Sequence, residues 1–283
     1  MIKSDSSEVL RSLSHIKIGE SVRDLYFPES IEELYDLYSK LCKQRPFYFV
    51  GGGSNTFFGH LEDTVLISER DLPWKWVLED NILVLSANHN INYVIKKASK
   101  YNLGGLEFLA GIPAHLGGLV IMNAGAYHKC IGDYVKWIKV MDENGVRTLK
   151  RNEIHFAYRH SDIKGFVLEV ALELESDTSD SLNSKILEKI NERREKQPLT
   201  KPNLGCFFKN GLNYYSGKLI DDLNLKGYRI GDAMVSLQHA NFLINNGKAS
   251  FEEMNELIKV IKDKVFKAYK IELELEVRFV SEK

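Results

Sequence analysis

Polar and apolar positions along the chain follow two periods, and a third stretch follows neither. Residues 31–44 come after a Ser30-Ile-Glu-Glu33 capping box and repeat apolar positions at helical spacing, which predicts an amphipathic helix stopped before Pro46. Pro46–Val50 reads as a buried strand, and Thr64–Ser68 as another. Trp74–Leu78 and Ile82–Ala87 predict a hairpin through Glu79-Asp-Asn81, followed by a helix from about Asn90 to Tyr101. Strands are predicted at Tyr134–Asp142, Val146–Lys150 and Gly165–Leu174, then a charged helix from Asp180 to Gln197 that Pro198 ends. A short helix near Ser216–Leu223, a strand at Ala240–Asn245 and a capped helix from Ser250 to about Lys270 follow. The strictest pattern is the last. Glu272–Val280 (ELELEVRFV) alternates, with Leu273, Leu275, Val277 and Phe279 on one face of a predicted strand.

Helices and strands mix without a regular βαβ alternation, and no repeat of 20–50 residues is present. The pattern predicts an α+β protein with a boundary near residue 198. Its 283 residues, 44% of them hydrophobic, suit two or three domains with real cores and exclude a disordered or collagenous chain. Lys+Arg 38 against Asp+Glu 39 leaves a formal charge of −1, so no bulk field attracts nucleic acid or an anionic membrane. Phe108–Tyr127 is uncharged with His115 neutral, but Gly111, Pro113, Gly117, Gly118 and Gly125 would break a spanning helix. The N-terminal residues lack the apolar core of a signal peptide. Cys42, Cys130 and Cys206 are odd in number and far apart, which fits a reducing cytoplasm.

Several segments can carry chemistry. Gly51-Gly-Gly-Ser54-Asn55 follows a strand, and three glycines allow a backbone to approach a ligand and turn N–H groups on an anion. It lacks the Lys-Ser/Thr of a P-loop and the third glycine of the dinucleotide fingerprint, and a plain tight turn is the competing reading. Gly111-Ile112-Pro113-Ala-His-Leu-Gly117-Gly118 and Asn123-Ala124-Gly125 form a second glycine-rich cluster; two such cradles suit a pyrophosphate, while close packing explains the glycines equally well. Tyr158-Arg159-His-Ser161 is a polar turn whose arginine is by default exposed. Cys206 sits in an irregular Gly-Cys-Phe-Phe-Lys209-Asn210 stretch where an inert thiol is the ordinary outcome. Glu276 shares the polar face of the last strand with Glu272 and Glu274. The histidines have no Glu/Asp/His spacing that would make a metal site.

Taken in order, nine strings resemble the UDP-N-acetylenolpyruvoylglucosamine reductase family. They are GGGSN at 51–55, GLEFLAGIPAHLGG at 105–118, MNAGAY at 122–127 and YRHS at 158–161, then Gln197-Pro198, GCFFKN at 205–210, LKGYRIG at 225–231, Val235-Ser236 and LELEVR at 273–278. The compact subclass of the family is the nearer match in length. The resemblance implies non-covalent FAD in a domain of the vanillyl-alcohol-oxidase (PCMH) type, held mainly by backbone N–H groups of residues 51–55 and 111–118. It implies one FAD lobe from residues 1–70 with 272–283, a second from 71–198, and a small α+β substrate domain at 199–271. The implied enzyme is a cytoplasmic, monomeric UDP-N-acetylmuramate dehydrogenase. It would use NADPH to reduce UDP-N-acetylglucosamine enolpyruvate in peptidoglycan synthesis, and so serve cell-wall biogenesis, cell shape and division.

By the same resemblance, Arg159 would face the charge that develops on the substrate carboxylate, and Glu276 would be its carboxyl partner. Cys206 would take the place of the proton-donating residue, commonly a serine. Tyr158, Lys209, Asn210, Lys226 and His239 would contact the sugar nucleotide. Two departures stand out: Ala114-His115 where the family has Gly-Thr or Gly-Ser, and Gly211 where Pro is common. An oxidase on the same flavin fold would not need Arg159, Cys206 and Glu276 together. A cysteine hydrolase using Cys206 with His239 would need an orienting residue that the sequence does not supply. A non-catalytic nucleotide-binding protein would not need a proton donor.

Overall fold

A computed structural model describes residues 6–41, 43–178 and 181–282. Cys42 and the first residue of the charged helix, Asp180, lie outside the described residues. The chain forms two compact units, one from 26–52 and 66–192, the other from 2–25, 53–65 and 193–283.

The first unit is built on a five-stranded antiparallel sheet. Its strands run in the order Gly145–Lys150, Val135–Asp142, Phe166–Glu173, Ile82–Ser86 and Trp76–Glu79. Phe166–Glu173 is central and is covered on both faces, which accounts for its nearly unbroken apolar run. The hairpin forms as the sequence predicts, with Val77 paired to Val84, but Glu79, expected in the turn, pairs with Ile82 and leaves Asp80-Asn81 as the turn. Helices Ile91–Ser99 and Leu116–Ile121 bury Val94, Ile95, Leu116 and Val120 in a core with Leu83, Leu85, Ile138, Val140, Val170 and Leu172. Helix Leu116–Ile121 rises within the stretch that the sequence read only as glycine-rich and turning. With Gly117 and Gly118 in a single six-residue helix, its propensity is too poor to be seen in advance.

The second unit has a four-stranded antiparallel sheet in the order Asn203–Cys206, Phe242–Asn245, Ala233–Val235 and Arg229–Ile230. Helix Phe251–Tyr269 packs Met254, Leu257, Ile261 and Val265 into its core with Phe207, Phe208, Leu243 and Phe57. The Ser250–Glu253 capping box forms as predicted: Glu253 N–H donates to Ser250 Oγ at 3.1 Å, and Ser250 N–H to Glu253 Oε2 at 3.2 Å.

The last segment departs from its pattern. Only Arg278–Val280 joins a ladder, parallel to Thr56–Phe58, and Phe279 is 40% exposed while Leu273, Val277 and Val280 are buried. The cause is a change of partner. Residues 274–276 exchange hydrogen bonds with 207–209, and the Arg278 N–H then donates to Asn55 O at 2.8 Å. A segment serving two neighbours cannot keep one alternating face.

Candidate active site

In the first unit the glycine loops are fixed from beneath. Asn92, in the first turn of helix Ile91–Ser99, accepts from Gly111 N–H at 2.6 Å and donates to Ile112 O at 2.8 Å. Gly111 has φ +85, a left-handed conformation that glycine adopts without a Cβ penalty. Leu116 N–H and Gly117 N–H donate to His89 O and Ala87 O, both at 2.9 Å. Several N–H groups of 111–118 are therefore committed inside the chain, which narrows the cradle expected from backbone donors alone. Pro113 is exposed and Ile112 partly so.

Glu69 lies where the two loops meet. Its carboxylate is 3.2 Å from where a Cβ on Gly51 would sit and 3.6 Å from one on Gly117. It accepts from His115 Nδ1 at 2.8 Å, and the residue is only 3% exposed. The imidazole in turn fills the space beside Gly52, where a Cβ would meet its ring at 2.9 Å. Gly51, Gly52 and Gly117 are thus required for close approach. Gly118 differs: it is exposed and a Cβ there meets nothing within 4 Å. A backbone-walled surface with open space over Gly118 fits a bulky, negatively charged ligand such as the pyrophosphate of FAD.

Asn123, at φ +42, is buried; it accepts from Gly132 N–H at 3.1 Å and donates to Ala157 O at 2.9 Å. Its side chain braces the loop, while Ala124 and Gly125 present backbone. The Ala157 bond steadies the hairpin Phe156–Ala157/His160–Ser161, whose turn residues are Tyr158 and Arg159. Arg159 has φ +53, rare for a long side chain and costly unless the surroundings enforce it. Its Nη1 donates to Gly125 O at 2.9 Å, and the guanidinium carbon lies 5.3 Å from the Tyr158 ring centre. The first unit also has a cavity of about 360 Å³ bordered by Trp74, Lys75, Lys139 and Glu169, and none of the predicted site residues lines it.

In the second unit, residues 206–209 run between two flanking segments. On one side Asn241, 2% exposed, accepts from Phe208 N–H at 3.0 Å and donates to Phe208 O at 2.8 Å. On the other, Glu276 N–H donates to Phe207 O at 2.8 Å and Lys209 N–H to Glu274 O at 2.9 Å. Phe207 and Phe208 are fully buried, so Cys206 and Lys209 bracket a rigid apolar anchor. Asn55 Nδ2 donates to Glu276 O at 3.2 Å, which joins one end of the GGGSN string to this group. Gly53, at φ +63, lies against Leu13 O, only 1.7 Å from where a Cβ would be, and its carbonyl accepts from His15 N–H at 3.1 Å; Ser54 is half-buried.

Lys209 Nζ reaches Glu274 at 3.3 Å on the surface, where Glu274 is 75% exposed; Glu276 is half-buried. Asn210 accepts from Ser216 N–H at 3.0 Å, and Ser216 Oγ donates to Lys209 O. Lys226 pairs with Asp221 at 2.8 Å. Burial, with the positive field of Lys226 second, pushes the His239 imidazole below its ordinary range. Cys206 and Glu276 are thus brought onto neighbouring segments of one unit, and Arg159 belongs to the other unit. Sequence reasoning missed Glu69, Asn92 and Asn241 as organisers of the site, because each is an ordinary polar residue far from the segment it holds.

Residues 24–149 match the family model described as FAD binding domain, and residues 197–280 match UDP-N-acetylenolpyruvoylglucosamine reductase, C-terminal domain. A UDP-N-acetylenolpyruvoylglucosamine reductase from Moorella thermoacetica is 40% identical over 268 residues, covering 92% of this chain and 88% of the relative. One from Caldanaerobacter subterraneus is 34% identical over 98% of this chain and 93% of its own. The chain belongs to the UDP-N-acetylenolpyruvoylglucosamine reductase family. The crystal structure of the Thermus caldophilus reductase superposes with a TM-score of 0.82 at 28% identity, covering 96% of this chain and 97% of that one. The protein is an FAD-dependent oxidoreductase, α+β, with a flavin-binding domain of the vanillyl-alcohol-oxidase type, as the sequence implied. Among the described residues no helix is long and apolar enough to cross a membrane.

Proposed function

We propose that the protein reduces UDP-N-acetylglucosamine enolpyruvate to UDP-N-acetylmuramate at the expense of NADPH, as a cytoplasmic step of peptidoglycan synthesis. Family membership supports the reaction. The observation that carries the assignment of roles is the bonding of the Glu276 segment to the backbone beside Cys206, through Glu276 N–H and Phe207 O. Residues 1–70 with 272–283 and 71–198 would serve the flavin, and 199–271 the sugar nucleotide.

When bound, FAD supplies a two-electron relay that takes hydride from the nicotinamide and gives it to the terminal methylene carbon of the enolpyruvyl group. Hydride addition leaves negative charge on the adjacent carbon and its carboxylate. Arg159, whose Nη1 donates to Gly125 O, neutralises that carboxylate. Glu276, in its protonated form, donates a hydrogen bond to the same charge. The Cys206 thiol gives its proton to the adjacent carbon, which completes the addition of one hydride and one proton across the double bond. Tyr158, Lys209, Asn210, Lys226 and His239 contribute contacts to the sugar nucleotide, and Lys209 must release Glu274 to do so.

An anaerobic titration tests the reading. NADPH should bleach the yellow protein, and the enolpyruvyl UDP-sugar should restore the colour with one equivalent of product. Acid precipitation should release all the flavin, as non-covalent binding requires. Bleaching by NADPH with no reoxidation by the enolpyruvyl substrate would refute the substrate assignment.

A further inference from the structure

The pair Glu69–His115 occupies the place where the sequence departs from its family, and the structure gives that departure a use. His115 sits between the two glycine loops, with Nδ1 2.8 Å from Glu69 Oε1 and its ring against Gly52. The Glu69 side chain is 4% exposed and that of His115 27%, so the carboxylate lies beneath and the imidazole partly faces solvent. A buried carboxylate on Nδ1 fixes the ring's orientation and makes Nδ1 the donor, leaving Nε2 as the second nitrogen to engage a ligand. The space over neighbouring Gly118 is open.

We propose that His115 is a phosphate-binding residue for FAD, positioned by Glu69, and that FAD binding takes up one proton at this histidine. The proposal rests on the reading that Gly111–Gly118 receive the flavin pyrophosphate. An imidazole with a carboxylate on one nitrogen and a pyrophosphate on the other is favoured as the cation, which donates to both. A threonine or serine at this position would supply one neutral hydroxyl. This chain supplies instead an imidazole that can carry charge when the ligand is present, held in place by Glu69.

The neighbouring groups differ from His115. The glycine loop contributes no ionisable side chain at 51–55. His89, from the turn before helix Ile91–Ser99, is held below the ordinary histidine range by burial first, and then by the Lys97 and His115 charges. Arg70, next to Glu69, is engaged by Asp71 at 2.8 Å and by the Phe27 ring at 3.9 Å.

The sign follows from linkage. A group protonated in the complex and less so in the free protein favours binding at low pH and weakens it as pH rises, by at most tenfold per pH unit for one proton. The measurement is the FAD dissociation constant of the apo-protein, from flavin fluorescence, between pH 6 and pH 8.5. Calorimetry in buffers of different ionisation heat counts the protons taken up. The parent should weaken about tenfold or more across that range and take up protons on binding near pH 8. His115→Gln, which keeps a hydrogen-bond donor but cannot titrate, should bind FAD with little pH dependence and no uptake. Glu69→Gln should move the fall in affinity to lower pH, an effect that a merely structural carboxylate would not produce. Parent affinity that is flat with pH, or unchanged uptake in His115→Gln, would overturn the proposal while leaving FAD binding intact. A parent chain that binds no FAD at any pH would overturn the underlying reading as well.

Discussion

Gly117 and Gly118 are adjacent and chemically identical, yet the structure assigns them opposite sensitivities. A Cβ on Gly117 would meet Ala87 Cβ at 2.9 Å, well inside the 3.5–4.0 Å of ordinary carbon contact, and Ala87 has no side-chain freedom with which to withdraw. Overpacking of this kind costs about 1–3 kcal/mol, against a gain of about 0.5–1 kcal/mol from replacing a helical glycine. Gly117→Ala should therefore lose up to about 2.5 kcal/mol. At Gly118 the same methyl meets nothing within 4 Å, so only the helical gain remains, and the apo-protein should be more stable by about 0.5–1 kcal/mol. The methyl would, however, enter the space proposed for the flavin pyrophosphate. Displacing the pyrophosphate by one methyl should weaken FAD at least about tenfold, equivalent to about 1.4 kcal/mol. Urea denaturation of the apo-proteins and FAD titration separate the two effects. Saturating FAD stabilises the parent by mass action, so Gly118→Ala should be the more stable protein without flavin and the less stable with it. A Gly118→Ala variant that binds FAD as tightly as the parent would show that the cofactor does not approach over this helix turn.

Three further outcomes are expected. Glu276→Gln should slow reoxidation of the reduced protein by substrate by orders of magnitude while Glu274→Gln changes it little, both keeping normal reduction by NADPH; equal losses in stopped-flow would assign Glu276 to a merely solvated face. Cys206→Ser should keep substantial activity and lose the fall at alkaline pH that thiol ionisation imposes on the parent, whereas Cys206→Ala should be reduced normally but reoxidise very slowly; an alanine variant with normal turnover would make the thiol a packing group. Burial opposes ionisation of the Glu282 carboxyl, but the Thr64 side chain and the N–H groups of Asp63, Thr64 and Glu62 outweigh it and hold the carboxyl below the usual range, so its stabilisation is present above about pH 4.3 and is lost as pH falls through its lowered value. Glu282→Gln should be less stable than the parent at pH 7 by thermal unfolding, with the difference shrinking as pH falls below about 4.3, and a difference that stays constant or grows on acidification would refute the account.

The elements that sequence could reveal are those whose cause is local. Ser30 and Ser250 announce helices because their caps lie within three residues, and the Trp76–Ser86 hairpin because its turn separates two apolar runs. Glu276 could be singled out from Glu274 only through resemblance; the structure then makes one half-buried and the other 75% exposed. What stayed hidden has non-local causes. Glu69 reads as one more charge after a strand until the fold buries it against Gly51 and His115, residues that belong to different loops. The last segment reads as one strand because alternation records which face is apolar, not how many neighbours share it.

A common device holds the active segments, and it explains why function can sit on irregular backbone. Residues 111–112, the 158–159 turn and residues 207–209 lie outside the long ladders that would fix their positions. Each is instead gripped by a side-chain amide that gives and accepts at once: Asn92 on Gly111 N–H and Ile112 O, Asn123 on Gly132 N–H and Ala157 O, Asn241 on Phe208 N–H and Phe208 O. An asparagine amide carries the same donor and acceptor as a peptide unit, so it can replace a missing strand neighbour over a single residue. Asn123 and Asn241 are buried, which strengthens their bonds and makes their loss costly, about 1–3 kcal/mol for each polar group left without a partner. Neither glutamine, longer by a methylene, nor aspartate, without a donor, can take their place without moving the backbone they hold. Chemistry that depends on distances set to a fraction of an ångström is thereby supported on loops, with rigidity supplied at single residues rather than along whole strands.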